Sequence, residues 1–319
     1  MVLSGPETMG LSRFVGQVAD CGRRRSERGT DMGLSDRASG LAVAAPAAFS
    51  GLAARAQDGI EGLEVIGAPS PGGIGFQPAV TELARDLHGL DNLLLVIISA
   101  ISLLVLLLIV FVIVRYNRRA NGTPAKFSHN SPLEVAWTIG PILTLIFIAA
   151  FSLPVLFKQQ TIPEGDIVVK AVGNQWYWSY EYVDEGFGFD AFMLGRSALE
   201  EHGYTQDEYL LATDNAVVVP SGKTVVMQVT ASDVIHSWTI PAFGVKQDGV
   251  PGRLAELWFN VDEGREGIYF GQCSELCGKD HAYMPITVKV VSQDEYDAWL
   301  VRAREQFAGI PRPFAVASN

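Results

Sequence analysis

GQCSELCGKDHAYM, residues 271–284, holds Cys273, Cys277, His281 and Met284 within twelve residues. Upstream, DVIHSW (233–238) places His236 just after a β-rich run at 223–230. Two thiols, two imidazoles and a thioether make a soft donor set, which suits copper. One cysteine, two histidines and a weak methionine would suffice for a single blue-copper ion. The second cysteine lets two thiolates bridge two copper ions, each completed by one histidine and one weak ligand. Taken singly, the residues have plainer readings. Cys273 and Cys277 could close a local disulfide in an oxidising compartment. His236 could be a satisfied core histidine and Met284 could simply pack. Zinc could sit on the cysteines and histidines alone, which leaves the methionine unexplained.

Around this stretch the chain reads as short β-rich runs broken by Gly, Pro and Asp. They are DIVVKAV (166–172), AVVV (216–219), KTVVMQVT (223–230), LAELWFNV (254–261), GIYFGQ (267–272) and ITVKVV (286–291). Their spacing predicts an all-β sandwich or barrel, Greek-key in kind, of about 130 residues over 159–292. Ser292-Gln293-Asp294-Glu295 is a capping box, so 293–319 is expected to hold a C-terminal helix and tail.

Further upstream the pattern changes. From Asn92 to Val114 the chain reads NLLLVIISAISLLVLLLIVFVIV without a charge, and Val135–Phe157 is a second uncharged run closed by Lys158. At about 1.5 Å per residue each spans the roughly 30 Å hydrocarbon core of a bilayer. Pro141 and Pro154 lie inside the second run, where lipid-embedded helices tolerate them. A two-helix transmembrane hairpin is therefore expected over 92–158. Its linker carries Arg115, Arg118, Arg119 and Lys126 and, before Glu134, no acid. The positive-inside rule puts that linker in the cytoplasm, and so places an N-terminal segment, 57–91, and everything beyond 158 on the other side. Ser131-Pro132-Leu133-Glu134 reads as a capping box with proline at the first helical position.

Residues 1–56 read as a cleaved targeting segment. Arginines at 13, 23, 24, 25, 28 and 37 precede a weakly apolar run, 41–54, and Ala54-Arg55-Ala56 fits a cleavage site that leaves Gln57 first. Met32 is an alternative start, and Cys21 falls within this segment. The formal charge of -11 over 319 residues excludes nucleic acid as a natural partner and favours a basic protein.

Four segments carry a resemblance: NSPLEVAWTIGP (130–141), GNQWYWSYEY (173–182), DVIHSWTIPAFGVKQD (233–248) and GQCSELCGKDHAYMPI (271–286). Together they resemble subunit II of bacterial aa3-type cytochrome c oxidases, over roughly residues 60–305. The resemblance implies a cupredoxin-like β domain behind the helical hairpin. It implies a dinuclear copper centre (CuA) held by His236, Cys273, Cys277, His281, Met284 and the backbone carbonyl of Glu275. It also implies an interfacial magnesium, reached by the Glu275 carboxylate and shared with subunit I, which alone would hold the haems. Trp176 becomes the exposed contact through which cytochrome c donates its electron. Glu181, Asp190, Asp214 and Asp233 become acids that steer that basic donor, and Glu134 the entrance of the K proton pathway. Without the resemblance the aromatics of 176–182 would read as core, the four acids as solvated charge and Glu134 as a helix cap. The implied setting is a bacterial inner membrane with both termini on the periplasmic side. The implied partners are subunits I and III, cytochrome c and membrane lipid. Quinol oxidase subunit II shares the architecture but lacks the copper ligands. A nitrous-oxide-reducing enzyme would need a large catalytic domain, and a copper carrier would not need Met284 or the aromatic cluster. No C-x-x-C-H haem motif is present.

Overall fold

A computed structural model describes residues 58–123 and 125–307. The expected targeting segment, 1–56, with Cys21, and the tail beyond 307 lie outside the described residues.

Helix α1, Glu82–Arg115, begins ten residues ahead of the uncharged run. Hydropathy misses this first part because it is amphipathic rather than uniformly apolar. Thr81 caps it, accepting from the Ala84 amide at 3.0 Å, and its hydroxyl donates to the Phe243 carbonyl at 2.7 Å. Leu83 and Ala84 are buried, and Arg85 pairs with Asp262. The helix therefore starts packed on the β domain and only then becomes apolar all round. Helix α2, Ser131–Gln160, is capped by Asn130 rather than Ser131. The Asn130 side chain accepts from Leu133 N at 3.2 Å, and Glu134 reaches back to Asn130 N at 3.2 Å. The cap sits one residue earlier than expected because the carboxamide meets the third amide of the turn as well as a serine would. At the other end Lys158 pairs with Glu82 and Asp86, tying the two helices together. No residue of α2 is buried, so its apolar surface needs lipid or other helices as a partner.

The β domain is built from two sheets and a hairpin. Strands β1 (Val65–Gly67), β10 (Gly267–Gln272), β11 (Pro285–Val291) and β5 (Val217–Pro220) form the first sheet in that order. Strands β4 (Phe187–Ala191), β3 (Tyr177–Tyr182), β2 (Ile167–Asn174), β6 (Thr224–Ala231) and β9 (Ala255–Asn260) form the second. Strands β7 (His236–Ile240) and β8 (Val245–Gly249) make the separate hairpin. Alternation assigns the faces. Trp178, Tyr180 and Tyr182 of β3 point into the core with Val169 and Ala171, while Tyr177, Ser179 and Glu181 lie on the other face, where Ser179 is covered and the other two are half-buried. The first sheet is covered on both sides: Tyr269, Ile286 and Val288 face the main core, and Ile268 and Phe270 face a smaller one closed by Leu194, Leu199 and Tyr204. Every residue of β11 is accordingly buried.

Strand β1 comes from the expected N-terminal segment, 57–91. It runs parallel to β10, and a Cβ at Gly67 would lie 2.5 Å from the Tyr269 ring. Just before it, Asp58 pairs with the buried Lys289 of β11 at 2.6 Å. Helix α3, Gln293–Gln306, starts at the expected box, with Ser292 and Glu295 capping one another.

Candidate metal centre

Five side chains converge between the ends of β7, β10 and β11. His236 opens β7, and the loop from β10 to β11 carries Cys273, Cys277, His281 and Met284. Gln272 and Pro285 are ladder partners, and Cys273 N extends the ladder to Met284 O at 3.3 Å. A firm strand pair thus sets the base of the loop. Ser274 N bonds Ser237 O at 3.0 Å, stitching the loop to β7. The strands can approach this closely because a Cβ at Gly271 would meet the Thr239 carbonyl at 1.8 Å. On the other side the His236 ring lies over Gly173, where a Cβ would come within 2.7 Å of it.

The two sulfurs lie 3.8 Å apart and the cysteines are free, so the disulfide reading is set aside. Cys273 Sγ is 3.8 Å from His236 Nδ1 and 3.3 Å from the Glu275 carbonyl. Cys277 Sγ is 3.5 Å from His281 Nδ1 and 3.4 Å from Met284 Sδ. Each sulfur therefore has one imidazole and one weaker donor beside it. His236, both cysteines and Met284 are buried, His281 is half-buried, and Glu275 is exposed at the loop's apex. Soft donors paired in this way, around two thiols free to become thiolates, fit a dinuclear copper site. Burial resists ionisation of Cys273, but hydrogen bonding to His236 and to the loop backbone outweighs it and lowers the thiol to about 7. Burial, then the neighbouring Cys273 charge, pushes Cys277 up to about 12. The same pocket thus shifts the two thiols in opposite directions.

Three residues complete the site without having been singled out for it in the sequence. Gly173 makes room for the His236 ring. Asp233 accepts from His236 Nε2 at 2.8 Å, which fixes Nδ1 as the nitrogen facing Cys273. Against burial, the contacts of Asp233 with His236 and two amides lower its pKa. The spacing Asp233-x-x-His236 held that signal. Gln175 donates through Nε2 to the Cys277 carbonyl at 2.7 Å, and its amide donates to Asp233 at 2.7 Å.

Trp176 is half-buried rather than fully exposed. Its ring lies against Gly278, where an added Cβ would meet it at 3.0 Å, with Lys279 5.0 Å from the ring centre. Tyr177 stacks on the exposed Phe192 at 4.6 Å. Of the four acids, Asp190 and Asp233 are exposed, while Asp214 and Glu181 are half-buried. Asp214 accepts from the amides of Phe192 and Asn215, and Glu181 faces Lys170 at 3.8 Å. Glu134 lies near the opposite end of α2 from Lys158 and stays outside this cluster.

The family described as cytochrome c oxidase subunit II matches in two parts, its transmembrane domain over residues 69–155 and its periplasmic domain over 167–291. Cytochrome c oxidase subunit 2 of Cereibacter sphaeroides is 57% identical over 279 residues, covering 83% of this chain and 91% of that one. The Arabidopsis thaliana protein of the same name is 38% identical over 240 residues, covering 73% and 90%. The crystal structure of the periplasmic domain of subunit II (CoxB) of Bradyrhizobium japonicum matches at 47% identity and a TM-score of 0.41, covering 46% of this chain and all of that one. The two family matches and the identity to the subunit 2 proteins settle the family: the chain belongs to the cytochrome c oxidase subunit II family, as a membrane-anchored subunit of a haem–copper oxidase with a periplasmic β domain.

Proposed function

We propose that this chain is the electron-input subunit of its oxidase. It receives electrons from a c-type cytochrome at the Cys273–Cys277 site and delivers them toward haem a of subunit I, where oxygen is reduced to water and protons are pumped. The observation that carries the reading is the convergence of two free, buried thiols with His236, His281, Met284 and the Glu275 carbonyl. When bound there, a copper pair supplies a one-electron centre whose geometry changes little between its two redox states.

The chain's own residues do the rest. The ligand loop is held by β7 and by the β10–β11 ladder, so little needs to move on loading. Met284 and the cysteines keep water from the interior of the site. Trp176 on Gly278 lies one residue from Cys277, which supports electron transfer through that ring. Asp190 and Asp233, exposed beside the Tyr177–Phe192 stack, support docking of a basic cytochrome, with Asp214 and Glu181 contributing less because each is half-buried. The exposed Glu275 supports a magnesium ion at the boundary with subunit I. The place of Glu134 at the start of α2, on the linker side, supports a proton role as well as its capping one. With the linker cytoplasmic, both mature termini lie in the periplasm, after removal of residues 1–56, and subunit III completes the assembly.

The test is the purified complex, which should hold two copper ions per chain at this site and give a seven-line mixed-valence EPR pattern. A four-line single-copper spectrum, or zinc in its place, would sink the reading.

A further inference from the structure

Two segments from different parts of the chain supply the ligands, the 232–235 loop leading into His236 at the start of β7 and 273–284 between β10 and β11. The segment joining β2 to β3 reaches both of them through one residue. The Gln175 backbone amide donates to Asp233 Oδ2 at 2.7 Å, while Asp233 Oδ1 holds His236 Nε2 at 2.8 Å. The Gln175 side chain donates through Nε2 to the Cys277 carbonyl at 2.7 Å. A Cβ at Gly278 would lie 3.0 Å from both Gln175 Nε2 and the Trp176 ring.

We infer that Gln175 is a positioning residue for the metal centre: it clasps the His236 loop to the Cys277 loop and seats Trp176 on Gly278 in the same step. This rests on the dicopper reading above. The sheet supports the clasp from behind. Ser232 N bonds Gly173 O at 3.0 Å, and Ser232 Oγ donates to Asn174 Oδ1 at 2.6 Å. Asn174 Nδ2 in turn donates to Ser179 Oγ at 3.0 Å, and Ser179 to Asp190 at 2.6 Å. The loop bearing Asp233 is therefore fixed against β2, and Gln175 is the tie from that fixed frame to Cys277. Its two polar contacts are to the Cys277 carbonyl and the Asp233 carboxylate and not to the donor atoms, so its effect is exerted through the ligands. The carbonyl it holds belongs to a thiol ligand, Cys277, and the carboxylate it holds, that of Asp233, orients an imidazole ligand, His236. A change at Gln175 should consequently be read at the copper rather than only in folding.

The experiment uses the assembled oxidase with Gln175→Leu, which removes the donor at similar volume, and Gln175→Glu, which sets an acceptor against the carbonyl. Two readouts are followed, the copper hyperfine pattern of the mixed-valence state and the rate of copper loss to a chelator. Both variants should shift the hyperfine splitting, and Gln175→Leu should lose copper about tenfold faster, as expected for one hydrogen bond of ordinary strength. Hyperfine splitting and copper loss equal to the wild type in both variants would overturn the inference. If the wild type itself gives no two-copper spectrum, the functional reading fails instead, so the two failures are distinguishable. Should Gln175→Leu assemble poorly, Gln175→Glu still decides, because its side chain keeps the original length and shape and changes only the donor and the charge.

Discussion

Cys273 and Cys277 share a pocket, yet hold their protons unequally: burial is offset by hydrogen bonds at Cys273, about 7, and reinforced by its neighbour at Cys277, about 12. Copper binds thiolates, so loading must displace whatever protons remain. Between those two values Cys277 keeps its proton, and apparent affinity should rise by at least about tenfold per pH unit. Below about 7 both thiols are protonated, and the slope should approach a hundredfold per unit, steepened by His236, whose pKa is raised because contacts with Cys273 and Asp233 outweigh burial. A competition titration of the chain on both sides of neutrality measures this, and a pH-independent affinity would contradict it. Gly278 makes a second prediction. Its φ of +128° is a backbone conformation that side chains resist, and a Cβ would press on Trp176 and Gln175. Gly278→Ala should cost about 1–3 kcal/mol of backbone strain and also displace the ring, and with Trp176 as the proposed electron entry it should slow reduction by cytochrome c in stopped-flow. The cluster of candidate ligands was legible because their types and spacing are chemically unusual. Gln175 was not, since a glutamine between a glycine-bearing strand and a tryptophan carries no spacing signal, and only the fold brings Cys277 to it.

At the level of elements, strands that alternate or bury both faces announced themselves: β2, β5, β6, β9, β10 and β11 all lie within two residues of the expected runs. Others were hidden for physical reasons. Strand β1 has three residues, too few for any period. Strands β7 and β8 are paired only with each other and mix Trp238 with Ser237, Lys246 and Asp248, so polarity masks them. The first turns of α1 were hidden because they answer to the β domain and not to lipid. The crossing of β7 and β10 carries the most exposed test of this scale. Gly271→Ala would put a methyl 1.8 Å from the Thr239 carbonyl, which no rotamer relieves. The strands would have to part, straining the Ser274–Ser237 bond that stitches the ligand loop to β7. We expect a loss of about 3 kcal/mol or more in thermal unfolding, with copper retention failing alongside it. Normal copper content in Gly271→Ala would show that the crossing does not set the site.

Across the whole molecule the periplasmic unit is assembled from both ends of the described chain. Residues 58–67 lie more than two hundred positions from their partners, yet β1 covers the edge of β10 and Asp58 neutralises Lys289. Lys289 is 4% exposed, on the face of β11 that the 194–204 excursion covers, with the Tyr204 ring 5.8 Å away. Removing Asp58 leaves an ammonium in that setting without its carboxylate, and breaking such a pair is costly because the remaining charge stays desolvated. Arg302 adds a bond to the Asp58 carbonyl, so the same residue also holds α3. Asp58→Ala should therefore lower stability by about 3 kcal/mol, while the double variant Asp58→Ala with Lys289→Met should recover much of it by removing the stranded charge. A fragment beginning at residue 160 would lose both β1 and Asp58, and should melt below the full chain for the same reason. Thermal unfolding of the three proteins decides between charge and edge: if Lys289→Met rescues Asp58→Ala, the pair matters as an unpaired charge. If rescue is absent but the fragment is still weakened, β1 matters through its ladder with β10.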